Sequence, residues 1–188
     1  MENNYTFLLE KLNKFTRKYY INEMLRGSIY FIALFFASLL LASVLEYFGN
    51  FGKTTRQVGF YVFMAVNLGA LGLWVITPLT KLLKIGRVIS HKQAATIIGA
   101  HFAEVKDKLL NALELKESSI GSRDLISASI EQKIGELNPI PFSLAINFSG
   151  NRKYLKYALV PLLIVVLLLI QVPDVILQSS ARIISFNK

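Results

Sequence analysis

Three long apolar runs interrupt an otherwise mixed chain of 188 residues. The cleanest is 154–172, YLKYALVPLLIVVLLLIQV, with no polar side chain between Ala158 and Ile170. The other two are Ser28 to Phe48 and Val58 to Pro78. At 1.5 Å per residue, each run is long enough for a helix to cross about 30 Å of hydrocarbon. A soluble core spreads its apolar residues at helix or strand period and does not bunch them. The pattern therefore predicts an all-α membrane protein. Its parts are a two-span transmembrane helical hairpin over 28–78, cytoplasmic amphipathic helices over 79–153, and a third transmembrane helix over 154–177. Residues 178–188 are expected to form an extracytoplasmic tail.

Outside the runs the apolar positions follow helical spacing. Leu8, Leu12, Phe15 and Tyr19 recur at intervals of four, three and four, with Lys11, Lys14, Arg17 and Lys18 on or beside the other face. Residues 1–27 are expected to form an amphipathic interfacial helix. It would lie on the inner membrane surface with its cations toward anionic lipid. A docking helix for a partner is the alternative. Further on, Ser90 and Gln93 have the spacing of a capping box and open a helix through Ile97, Ile98 and Phe102. Glu104 to Leu115 predicts a second helix with Val105, Leu109, Ala112 and Leu113 on one face. Ile120 to Arg123 reads as a turn. Asp124 to Leu137 predicts a third helix, closed by Asn138, Pro139 and Pro141. Faces this narrow bury little alone, so they are expected to lean on the bilayer, on the amino-terminal helix or on another chain.

Few polar side chains interrupt the spans. Glu46 lies near the end of the first, where a carboxylate reaches interfacial water, and reads as a boundary residue. Asn67 lies at depth in the second, where an amide usually hydrogen-bonds to a neighbouring helix. Ala37, Ser38 and Ala42 form a strip of small residues on the first span, and Gly69 and Gly72 sit near Asn67. These six, Ala37, Ser38, Ala42, Asn67, Gly69 and Gly72, are the expected helix-packing residues. The Leu, Ile and Val surface of the third span offers little for specific packing.

Charge sets the expected orientation. Lys and Arg number 21 against 12 Asp and Glu. Five cations (Lys11, Lys14, Arg17, Lys18, Arg26) precede the first span. Lys81, Lys84, Arg87 and Lys92 follow the second, and Arg152, Lys153 and Lys156 precede the third. The turn between spans one and two holds only Lys53 and Arg56. The positive-inside rule then puts the amino terminus and 79–152 in the cytoplasm and the carboxyl terminus outside it. Membrane flanks account for the basic excess, and no nucleic-acid motif accompanies it, so no nucleic acid is expected as a partner.

Reactive chemistry is sparse. The absence of cysteine removes disulfides and thiolate catalysis. His91 and His101 are ten residues apart with no completing carboxylate pattern, so no metal site is expected. Gly52-Lys53-Thr54 lacks the upstream glycine and the strand of a phosphate-binding loop. No nucleophile elbow, Walker motif or dinucleotide fingerprint occurs, and no cofactor or small-molecule substrate is indicated. A minor enzymatic alternative pairs His101 with Glu104 as acid and base on one helical turn.

The segment Ala94 to Leu115, AATIIGAHFAEVKDKLLNALEL, follows a two-span hairpin and precedes a third span. It resembles the bacterial membrane family designated domain of unknown function 4175, whose members carry a similar "IG.HFPEV.D.LLN.LEL" segment. The matching positions are Ile98-Gly99, His101-Phe102, Glu104-Val105, Asp107, Leu109-Leu110-Asn111 and Leu113-Glu114-Leu115. Ala103 stands where the family has proline. The resemblance implies a Gram-negative inner-membrane protein with a longer carboxyl-terminal part outside the cytoplasm, so that residues 178–188 would be the start of a larger domain, an expectation that the ending SSARIISFNK fits. It carries over no catalytic residues. The combined expectation is a non-enzymatic membrane anchor or scaffold of a bacterial envelope protein. Its partners would be the lipid bilayer and either a second copy of itself or other envelope proteins. The alternative is a subunit of a transport or energy-coupling machine, with Glu46 or Asn67 facing its path.

Overall fold

A computed structural model describes residues 2–117, 133–137 and 139–185. Regular structure among these is helical throughout. The elements are α1 (Glu2–Gly49), α2 (Lys53–Leu71), a π-helical turn (Gly72–Ile76), α3 (Thr77–Leu82), α4 (His91–His101), α5 (Ala103–Glu117), α6 (residues 133–137), α7 (Arg152–Gln171) and α8 (Pro173–Ile184). Short 3-10 turns cover Phe142–Ala145 and Phe148–Asn151. The expected turn at 120–123 and residues 124–132 of the expected third helix lie outside the described residues.

Among the described residues, three helices are long and apolar enough to cross a membrane. In their most apolar windows only 6%, 17% and 11% of residues are buried within the protein. Side chains such as Phe48, Leu73 and Ile170 are more than 70% exposed. Apolar surface this extensive on helices of this length is consistent with a membrane protein.

The expected interfacial helix over 1–27 and the first span are one helix of 48 residues, about 72 Å long. Only Gly27 stands at the expected boundary, and one glycine costs a helix about 1 kcal/mol, too little to end it. Termination comes at Asn50, whose φ of 41° is left-handed and whose N–H donates to the Glu46 carbonyl at 2.9 Å.

The chain divides into two compact units. The first joins residues 1–22 to 81–147. Its core buries Leu8, Leu12 and Phe15 of α1 among Ala95 and Ile98 of α4, Leu109 and Ala112 of α5, Ile134 and Leu137 of α6, and Phe142. The face expected on the membrane surface is thus covered by protein, because α4 and α5 bring apolar stripes of their own to meet it. Lys11 and Lys18 of α1 donate to the carbonyls of Ile140 (3.5 Å) and Ser143 (2.7 Å). The capping box forms as expected: Ser90 Oγ accepts from the Gln93 N–H, and Gln93 Oε1 accepts from the Ser90 N–H. Phe102 leaves helical geometry and turns α4 into α5. Gly99 permits the close return of the chain, since a Cβ there would lie 2.4 Å from Cβ of Lys106.

The second unit holds 23–80 and 148–188. Its third span ends at Gln171, earlier than the expected 177. Pro173 lacks an N–H and disfavours helical geometry in the preceding residue. Val172 accordingly adopts φ −141° and ψ 69°. The expected tail is instead mostly helical: α8 packs against α2 and α7 and buries Val175, Ile176 and Ser179.

Candidate functional site

The polar and small residues of the second unit concentrate where α1 faces α2 and the π turn. Three ties occur along this seam.

At one end, Arg56 Nε donates to Glu46 Oε1 at 2.8 Å. The Glu46 side chain is 2% exposed, so it does not reach water as a boundary residue would. The helix-to-helix turn at Asn50 brings Arg56 back alongside it. Arg56 and Arg182 both approach Asn50 Oδ1, at 3.5 and 3.3 Å, which ties α8 to the same turn. Glu46 Oε2 and Ser43 Oγ are buried without a hydrogen-bond partner among the described residues. Their three-residue spacing places both on one face of α1.

In the middle, Asn67 Nδ2 donates to Ser38 Oγ of α1 at 3.2 Å and to its own Phe63 carbonyl at 2.8 Å. Asn67 Oδ1 is buried without a partner among the described residues. Interhelical bonds of this kind contribute about 0.6–2 kcal/mol in membranes, and the orphaned oxygen offsets part of that gain.

At the other end, α1 meets the π turn at Gly27. A Cβ on Gly27 would lie 1.8 Å from the Trp74 carbonyl oxygen. Pro78 explains why that carbonyl is available. A proline offers no N–H to the carbonyl four residues earlier and its ring displaces that carbonyl. The helix widens over Gly72–Ile76, where the Thr77 N–H and Oγ1 both donate to the Gly72 carbonyl. Tyr30 packs here against Trp74 and Tyr154, with ring centroids 5.8 and 5.1 Å apart, and Arg26 lies over Tyr154. These rings join all three spans at one level.

The seam brings Ser38 and Asn67 together. It does not include the whole expected set. Ala42 is half-buried, and Ala37 and Gly69 are exposed. Gly69 and Gly72 have open space where a Cβ would stand. Gly27, Arg56 and Arg182 escaped sequence reasoning. For Gly27 the available signal was Trp74 four residues before Pro78, which marks a carbonyl without its helical donor.

The arrangement fastens helices and presents one carboxylate with an unused oxygen. His101 ends α4 and Glu104 lies in the first turn of α5, so the two do not share a helical turn and the proposed acid–base pair loses its premise. Among the described residues, no three of His, Asp and Glu gather as metal ligands. No family model, curated protein or solved structure matches the chain.

Proposed function

We propose that the protein is a non-enzymatic membrane anchor or scaffold module that assembles through its second span. The observation that carries this reading is the division of small residues along α2 and the first position of the π turn. Asn67 and Ala70 are buried against the chain's own helices, while Ala65, Gly69 and Gly72 are left uncovered to different degrees on another face. Their spacing of four and three is that of a small-residue face on which a second helix approaches closely. A second copy or another envelope protein would cover it. Replacing Gly69 with isoleucine should weaken association between labelled chains in bilayers by about tenfold, a change of about 1.4 kcal/mol. Energy transfer that is absent in the parent chain, or unchanged by the substitution, would reject the assembly.

The resemblance to domain of unknown function 4175 and the distribution of cations support a bacterial inner-membrane location with a cytoplasmic amino terminus. Arg56, a cation on the unfavoured side of that count, is accounted for as the partner of Glu46.

The unused Glu46 oxygen favours a second reading, in which the chain belongs to a transport or energy-coupling machine and Glu46 carries protons. Vesicles containing the chain with its co-purified partners would then show dye-reported proton flux that Glu46→Gln abolishes. Flux that is missing, or indifferent to the substitution, removes this reading.

A further inference from the structure

The first unit contains a cavity of about 230 Å³, between α1 and the segment that joins α3 to α4. A single water needs only about 15 Å³. Lys14 and Arg17 stand on one wall, three residues apart on α1, and Lys81 and Lys84 stand on the other. His91 completes the rim, and among the described residues no carboxylate lines the cavity.

The fold holds this shape by specific means. Tyr20 is buried, and its hydroxyl accepts from the Ile89 N–H at 2.9 Å, which fixes the joining segment to α1. Lys81 Nζ lies 5.9 Å from the centre of the Tyr20 ring. Lys84 occupies the left-handed region at φ 59°, a position that usually falls to glycine after a helix. A lysine in that conformation bears a backbone cost, and here its side chain lines the cavity. Gly86, at φ 85°, turns the chain back so that Val88 and Ile89 close the wall.

Four cations around one concavity repel one another and are relieved by a compact anion with several acceptor oxygens. The surroundings indicate which anion. Leu83 and Ile85 flank Lys84 and are each 61% exposed. Lys81 lies in the last turn of α3, which continues the second span. A charged cavity whose Lys84 sits between two bare apolar side chains, just past the end of a span, suits an amphiphile. We infer that this cavity binds the phosphate headgroup of an anionic membrane phospholipid, with Lys14, Arg17, Lys81 and Lys84 as its ligands.

The test is a titration of the purified full chain in neutral detergent, with bound lipid read by native mass spectrometry. The probes are phosphatidylglycerol, phosphatidylcholine and inorganic phosphate. Phosphatidylglycerol should bind, and Lys14→Gln combined with Lys84→Gln should weaken it about 30-fold. The charge-matched pair Lys106→Gln and Lys133→Gln, elsewhere on the same unit, should change it less than about twofold. Both variants should keep the parent melting temperature, because all the substituted side chains keep their first two methylenes and lie outside the core. Equal binding of phosphatidylcholine, or wild-type affinity in the cavity variant, would overturn the inference. Inorganic phosphate that displaces the lipid at comparable concentration would assign the cavity to a soluble phosphate instead.

Discussion

Gly27→Ala should lower the stability of the folded chain by about 2–3 kcal/mol, the upper range for an added methyl in a packed site. The new Cβ would meet a backbone carbonyl at 1.8 Å, and no rotamer relieves a clash with main chain. Either α1 must shift away from the π turn or the turn must rewind, and both disturb the contacts of Tyr30 with Trp74 and Tyr154. Reversible unfolding in mixed micelles measures the loss. Gly59→Ala is the control, because open space surrounds Gly59 and alanine favours helix there. If the two variants are equally stable, the close approach at Trp74 does not hold the hairpin.

Arg56→Leu is expected to cost about 2–4 kcal/mol. Removing one member of a buried ion pair leaves the other charge uncompensated, which costs about 3–5 kcal/mol when both are fully buried. Arg56 retains 21% exposure, so the loss is discounted for solvent. The remaining Glu46 carboxylate would have both oxygens buried without this donor. Adding Glu46→Leu to the same chain should restore most of the stability, because a matched apolar pair has no charge to desolvate. The same micelle unfolding assay run as a double-mutant cycle checks this. A double variant as unstable as Arg56→Leu alone would show that packing, rather than the charge of Glu46, sets the cost.

The spans were legible because a long unbroken apolar run has few physical destinations. The capping box at Ser90 and the stripe of Leu8, Leu12 and Phe15 were equally local signals, and the stripe did become a buried helix face. What covers that stripe was not legible. Membrane surface, partner and the chain's own α4 and α5 all satisfy the same periodicity, and the choice depends on residues about eighty positions away. Glu46 was misjudged for a related reason. Its depth along the span suggested water, but the turn at Asn50 delivers Arg56 to it. The approach of Gly27 to Trp74 depends on a carbonyl displaced by Pro78, a backbone event that residue types only hint at. Pro173 was visible as a break, yet the helix beyond it was not, because the apolar residues 175–177 extend the preceding run without interruption.

The discontinuity of the first unit has a consequence for biosynthesis. Leu8, Leu12 and Phe15 leave the ribosome early, but their covering residues extend to Phe142 and Ile146. At about 5–20 residues per second, the interval is roughly 7–25 s. During that time the stripe is an uncovered amphipathic surface. Completion of the core withdraws it, and can do so only if residues 1–22 and 81–147 emerge on the same side. Closure of this unit is therefore a late event, and a chain whose residues 1–22 and 81–147 stand on opposite sides of a bilayer cannot bury its own first turns.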